Sequence, residues 1–354
     1  MGTAKLIDFI EQVSGGTHIR VEENLGNGFV RLRTEEAERR QAKHDIRQVE
    51  DIIIEMLRNA RDANARAVYI ATTREGDVRT LTVIDDGDGI PDDLHERIFE
   101  PRVTSKLETM LEDEWGIHGR GMALYSIKSN VTSAKVVSSG IGLGCALALE
   151  IDTSLLGEKT DQSTFPVVGK DEGGVLRVTK GPHNIVRAAL EFALAHRKAP
   201  DVYLGSSSAI AATLMEHGHK SLRSDDLLFC DDINTLPINQ RLAASADASD
   251  LMLNCTRIGL DISERTAHRI LSKQIAPLNS LCELAKGEQG RAAADLSRDN
   301  RSLRLSKEDV NAFSREMERA FELLAERYYL SLTDVPRITV KGDTITVRFP
   351  IEKD

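Results

Sequence analysis

The stretch from Gln48 to Arg66 has to bury one face and display another. At ~100° per residue, Ile52, Ile53, Met56, Leu57, Ala60 and Ala63 fall on one broad side, which predicts a helix packed on a core. Glu55, Asn59, Asp62 and Arg66 are spaced by four, three and four, so they form a narrow polar stripe beside that side. The layer such a helix needs follows in the sequence. Val68–Thr72 and Leu81–Ile84 are rich in β-branched residues and bounded by turn formers, and are predicted strands. A helix from Gly121 to about Lys128 comes next, then two more strands, Ala134–Ser138 and Cys145–Ile151, about the Ser139-Gly140 turn. The order is that of an α/β layer sandwich.

Four blocks within this region carry chemistry. In the first, a carboxylate, an amide and a second carboxylate lie along one line of the helix. Glu55 can polarise a water and the Asn59 carbonyl can ligand Mg²⁺, although the same residues also suit a solvated face. The second is Val83-Ile84-Asp85-Asp86-Gly87-Asp88-Gly89-Ile90-Pro91. A strand ends on an Asp able to accept from an exocyclic amine, and two glycines then permit positive φ and close approach of backbone to a ligand. A tight turn or a calcium loop would use similar residues, but an EF-hand needs a Glu at its twelfth position and a preceding helix, and neither is present. The third, Ile98 to Lys106, ends in Thr104-Ser105-Lys106, two hydroxyls and a cation suited to phosphate oxygens. The fourth, Gly116-Ile-His118-Gly119-Arg120-Gly121-Met-Ala-Leu124, runs into a helix whose free N–H groups and dipole favour an anion. It is not a P-loop, because no Gly-Lys-Ser/Thr follows.

In this order and spacing the four blocks resemble the GHKL superfamily of gyrase, ninety-kilodalton chaperone, histidine kinase and MutL. Glu55-Met-Leu-Arg-Asn59-Ala-Arg-Asp62-Ala63 resembles the N-box, and Asp85 to Pro91 the first glycine box. Ile98 to Lys106 is similar to a hybrid of the kinase phenylalanine box and the Thr-Ser-Lys of MutL. Gly116 to Leu124 resembles the second glycine box in its gyrase form. The resemblance covers roughly residues 45–152. It implies an α+β fold, the Bergerat sandwich with a mixed sheet, and a site for ATP and Mg²⁺. It also implies roles. Asn59 would ligand the metal, and Asp85 would bond the adenine amine. Gly87 and Gly89 would let the backbone pass the nucleotide, and Thr104 would lie near adenine and phosphates. Lys106, Arg120 and the amides of Gly119 and Gly121 would hold phosphates. Glu55 would be the general base that activates water.

Hydrolysis and protein phosphorylation share this cradle. Glu55 four residues before Asn59 leans to the gyrase, chaperone and MutL side, although serine kinases of the superfamily also place a Glu there. His44 suits a kinase phospho-acceptor only poorly, since it lies eleven residues before Glu55, on or beside the same helix, with 43 residues upstream. ATPases of this kind are usually followed by an α/β domain that donates a lysine to the γ-phosphate. Lys170 and Lys180 are available, but neither is assigned. Leu107 to Trp115 is a short acidic lid.

The expected organisation is an ATP-binding domain over 1–152, a loop-rich join over 153–182, and a mainly helical domain over 183–354 that ends in a β-hairpin, Ile338–Val340 with Thr344–Phe349. A short helix is predicted over Lys5–Val13 and a turn at Gly26-Asn27-Gly28. Ser306 to Asp309 opens a helix as a capping box would. Val310, Phe313, Met317, Phe321, Leu324 and Tyr328 then form a stripe suited to core packing, a bundle or a dimer seam. Ile262 to Leu271 suits a Ser-capped helix better than the recognition helix of a helix-turn-helix. The partners expected are ATP and a protein client or second copy docked through the helical half. With a net charge of -10, nucleic acid has weak support. No apolar run reaches ~18 residues, so no membrane is expected. Met1 to Glu11 has no signal-peptide pattern, and four scattered cysteines make zinc or a disulfide framework an unfavourable reading, so the expected location is the cytoplasm. The reading is an ATPase that drives a conformational switch; the alternatives are a histidine or serine kinase of the same superfamily and a DNA-binding regulator that uses ATP as a ligand.

Overall fold

Alternation along the strands decides which side of the sheet each residue serves. The computed structural model describes residues 21–34, 36–105, 111–113, 116–118, 121–171, 173–222, 232–286, 307–341 and 344–353. Strands β1 (Val21–Gly26) and β2 (Phe29–Leu32) form a hairpin about the expected turn, where Gly26, Asn27 and Gly28 all have positive φ. Helices α1 (Glu36–Asp45) and α2 (Val49–Asp62) follow, then β3 (Ala67–Glu75) and β4 (Val78–Asp85). A two-residue strand, β5 (Val103–Thr104), pairs with β2, and β6 (Leu111–Asp113) pairs with β7 (Gly116–His118). Next come α3 (Ala123–Asn130), β8 (Ser133–Gly140), β9 (Gly144–Asp152), β10 (Val167–Lys170) and β11 (Leu176–Lys180). They are followed by α4 (Ile185–Ala195), β12 (Asp201–Gly205), α5 (Ser207–Ser221), α6 (Ala248–Arg257), α7 (Glu264–Leu271) and α8 (Leu281–Lys286).

The central sheet has the order β12-β3-β4-β9-β8, with β12 parallel to β3 and all other pairs antiparallel. It is the mixed sheet of the expected α+β sandwich. Val68, Ile70, Leu81, Val83, Leu147 and Leu149 point to one face, where Ile52, Ile53, Met56 and Leu57 of α2 and Leu190 and Phe192 of α4 complete the core. Tyr69, Ala71, Ile84 and Ala146 point to the other face, against Ile210 and Leu214 of α5, Leu251 and Cys255 of α6 and Ile270 of α7. A sheet covered on both faces explains why its strands are nearly continuous apolar runs.

One local reading is corrected and two are sharpened. The helix stops at Asp62, because Ala63 caps it and Asn64 takes φ 59°, so Arg66 leaves the stripe and its N–H bonds Asp86 at 2.7 Å. His44 sits not on α2 but in the last turn of a separate helix, α1. The stretch after residue 183 is mostly helical, but it also supplies β12, with Tyr203 facing Tyr69 in register. The join before it is pinned down. Buried Gln162 donates to Glu50 at 2.7 Å and accepts from Ile185 N–H at 3.0 Å. Glu158 accepts from Arg79, which is fully buried, at 2.9 Å and from Arg74 at 2.6 Å.

The compact unit containing these elements is residues 1–297, and 298–354 form a second. In the second, α9 (Lys307–Tyr328) precedes β13 (Leu330–Leu332), which pairs with β16 (Ile351–Lys353). β14 (Arg337–Lys341) and β15 (Thr344–Arg348) make the expected hairpin. Phe321 is buried and stacks on Phe349 at 5.2 Å, whereas Leu324 and Tyr328 are exposed, so only part of the predicted stripe is covered. Ser306 and the Lys5–Val13 segment lie outside the described residues. Among the described residues no helix is long and apolar enough to cross a membrane.

Candidate nucleotide site

A cavity of about 650 Å³ opens between α2, the end of β4, β5 and the start of α3. That is the size range of small-molecule and cofactor pockets. Of the sequence-predicted residues, Glu55, Asn59, Asp85, Gly89, Thr104 and Gly121 line it. Gly87 lies just behind the wall. Lys106, Gly119, Arg120 and most of the acidic lid lie outside the described residues.

The glycine box is held from behind. Asp86 accepts from the N–H groups of Arg66 and Ala67 at 2.7 and 2.9 Å, which ties the loop to the start of β3. Asp88 accepts from Asn64 at 2.7 Å, and its backbone N–H donates to the Ala63 carbonyl at 2.8 Å, so the loop is also tied to the end of α2. Asp85 alone of the three acids is buried. Its Oδ1 accepts from Gly87 N–H at 2.9 Å, and burial, against that bond and with Asp86 and Asp88 adding to it, pushes its carboxyl up to about 7. Gly89, at φ 74°, has no room for a side chain, because a Cβ there would lie 1.9 Å from the Gly140 carbonyl oxygen. Ser139 cements the same contact by accepting from Ile90 N–H and donating to the Gly144 carbonyl, each at 2.8 Å. At the opposite wall, Gly121 accepts from Arg102 N–H at 2.8 Å, which sets β5 beside the start of α3 and leaves the first turn of α3 facing the cavity.

On α2, Glu55 and Asn59 both face the cavity. The Asn59 Nδ2 is buried and has no hydrogen-bond partner among the described residues. A buried amide left unmet inside a protein costs free energy, which an incoming ligand can recover. Turning the amide over would present its oxygen at the same place, so the donor set fits a hard cation. Glu55 Oε1 lies 2.5 Å from Nη1 of Arg58, a buried arginine on the same cavity wall. Arg58 was not singled out in the sequence. The signal was its place three residues after Glu55, where a helix makes such pairs meet. Gln41 and Asp45 of α1 line the cavity too, so α1 belongs to the wall of the site, and His44 stands exposed on it.

The family described as histidine kinase-, DNA gyrase B-, and HSP90-like ATPase matches residues 44–165, a stretch that includes all four blocks and the cavity lining apart from Phe29 and Gln41. Residues 44–165 are a GHKL-type ATPase domain. Proteins described as DNA mismatch repair protein MutL are similar to this chain over part of their length. The Clostridium beijerinckii protein is 41% identical over 81 residues, which is 22% of this chain and 12% of that protein. The Thermus thermophilus protein is 41% identical over 80 residues, 23% and 14%. The Thermodesulfovibrio yellowstonii protein is 35% identical over 89 residues, 25% and 16%. The likeness thus spans a small part of each relative. A solved structure described as the N-terminal domain of a DNA repair protein is similar over 44% of this chain and 60% of that one, at 16% identity and a TM-score of 0.24, too low to build on.

Within the GHKL domain, Asn59→Ala is expected to weaken binding of Mg-ATP by roughly tenfold or more, and of magnesium-free ATP far less. Calorimetry with and without a chelator checks this. Equal losses in both would mean that Asn59 supports the fold and not the metal.

Proposed function

We propose that the GHKL domain hydrolyses Mg-ATP to drive a conformational switch in a macromolecule-handling process. DNA is the macromolecule to which the mismatch-repair relatives point. The observation that carries the reading is that Glu55, Asn59 and Asp85 line one cavity, at three places suited to a base, a metal ligand and an adenine contact. Asp85 accepts from the adenine amine. Gly87 and Gly89 keep the loop close to the nucleotide, with Thr104 beside it. The first turn of α3 and Gly121 before it hold the phosphates, and the same role is assigned to Lys106, Gly119 and Arg120 on the strength of their sequence blocks. Asn59 would hold magnesium, which would neutralise charge on the phosphate oxygens. Glu55 takes the proton of a water as its oxygen bonds the γ-phosphorus, while the bond from that phosphorus to the β-phosphate bridging oxygen breaks and ADP leaves. The helices beyond residue 183 carry the nucleotide state to a protein client or a second copy, in the cytoplasm.

Transfer to protein has less in its favour. His44 stands exposed on α1, a helix that itself supplies Gln41 and Asp45 to the cavity wall, whereas a phospho-acceptor has to be carried to the phosphate on an element able to approach and leave. A regulator reading through α7 has less still. Ser263 caps that helix by accepting from Thr266 N–H, and Ala267 and Ile270 are buried in the second core. Incubation with magnesium and ATP labelled at the γ-phosphate separates the three readings. Free labelled phosphate is expected. Label on the protein would mean a kinase, and intact bound ATP a ligand-dependent regulator.

A further inference from the structure

The cavity holds more acids than cations. Asp45, Asp51, Glu55, Asp62, Asp85 and Asp88 line it, and among the described residues only Arg47 and Arg58 bring positive charge to it. A nucleoside triphosphate adds several more negative charges, so a fixed cation in the wall has a large effect on which nucleotide stays. Arg47 is exposed, and water weakens its reach. Arg58 is 4% exposed and held by the helix between Glu55 and Asn59, the two residues nearest the chemistry in the reading above. Asp51, Glu55, Arg58 and Asp62 recur at four, three and four along α2, so the guanidinium sits in a stripe of carboxylates that faces the cavity.

The distance to Glu55 sets where Arg58 can act. A general base has to stand one water away from the phosphorus, a span of roughly 6 Å through two hydrogen-bond lengths. The Arg58 Nη1 is 2.5 Å from the carboxylate that must stand there. With a γ-phosphate at that span, a change of side-chain rotamer would carry the guanidinium from Glu55 toward its oxygens, and a planar fork suits two of them. We propose that Arg58 recognises the γ-phosphate from within the domain. It holds Glu55 while no triphosphate is present and turns to the γ-phosphate when one binds, which leaves the Glu55 carboxylate to the attacking water. The ligand selected is a nucleoside triphosphate over the diphosphate. The inference rests on the ATP site proposed above, but not on hydrolysis. The contrary view is that Arg58 is only the structural partner of a half-buried Glu55.

The test is calorimetry with Mg-ADP and a non-hydrolysable Mg-ATP analogue, on the full chain and its variants. The parent is expected to bind the analogue roughly tenfold or more tighter than ADP, the scale of a charge-assisted contact. Arg58→Met should bring the analogue down to near the ADP affinity while ADP itself changes by about twofold or less, so ADP binding serves as the fold control. Arg58→Lys should give an intermediate ratio. Glu55→Gln, which takes the charge from a partner that competes for Arg58, should tighten the analogue and not ADP. Doubling it with Arg58→Met should remove that gain. Equal losses for both nucleotides in Arg58→Met, an unchanged ratio, or a parent without preference would overturn the proposal. If Arg58→Met does not fold, a parent-like ratio in both Arg58→Lys and Glu55→Gln does the same. A failed hydrolysis reading shows separately, as no phosphate released from ATP by a parent that still prefers the analogue.

Discussion

Asp85→Asn is expected to lose ATP affinity by roughly 10²-fold while making the nucleotide-free fold more stable at pH 8. Gly87 N–H donates to this side chain at 2.9 Å, and in the proposed site the adenine amine is a second donor to it. A carboxylate meets both with acceptor oxygens. An asparagine has one oxygen and one N–H₂ group, so whichever way it turns, a donor faces a donor in a buried place. The stability effect has the opposite sign. Burial raises the Asp85 carboxyl from 3.8 to about 7. Below the lower value the folded and unfolded chains both carry the proton. Between the two only the folded chain does, so acidification favours folding there, and above about 7 the fold bears the whole cost of a buried charge, on the order of a few kcal/mol. Asparagine has no charge to bury and keeps an oxygen for Gly87. The melting temperature of the variant should therefore exceed that of the parent at pH 8, and the gap should close as pH falls toward 4. A variant that binds ATP like the parent would remove Asp85 from the adenine site. One that melts below the parent at pH 8 would mean that the carboxylate is satisfied in the fold.

What could be read in the sequence was what is local. The apolar side of α2 and the polar places of Glu55 and Asn59 follow from spacing alone, and Asp85 to Gly89 declares a strand end and a tight loop through its own residue types. The stripe was drawn too long, to Arg66, because a helical wheel has no end, whereas Ala63 and Asn64 end the helix. β12 was invisible. Its five residues pair in parallel with β3 across more than a hundred residues, and nothing in Asp201–Gly205 names that partner. The second helical layer did leave a trace. Val68 to Ala71 show no polar alternation, and Tyr69 and Ala71 are buried on the face away from α2. A strand with both faces apolar requires cover on both. The charged partners were not legible at all. Arg79 and Glu158 are ordinary surface residue types on a strand and a loop, and only the fold makes them a buried pair. Arg58 does not stand out for the same reason, since the sequence gives its spacing from Glu55 but not the wall against which both lie.

Glu55→Ala is expected to lower ATP turnover by roughly 10²-fold or more and to leave nucleotide affinity equal to the parent's or somewhat higher. The two effects separate because a general base acts on the proton that leaves water in the transition state, and makes no bond to bound ATP beforehand. Its charge, meanwhile, opposes the phosphates in the ground state, so removal relieves a repulsion. The arginine sharpens the expectation. Without Glu55, the buried guanidinium of Arg58 loses the carboxylate 2.5 Å away, which removes one competitor for it when a triphosphate enters the cavity. The variant should therefore accumulate in the ATP-bound form, visible as slow nucleotide release beside the lost turnover. The measurements are phosphate release at saturating Mg-ATP and affinity by calorimetry on the same preparation. Phosphate release at the parent rate would sink hydrolysis through Glu55 while leaving the ATP site intact. Loss of affinity in step with turnover would instead make Glu55 part of the nucleotide's binding frame, with the base to be sought elsewhere on the cavity wall.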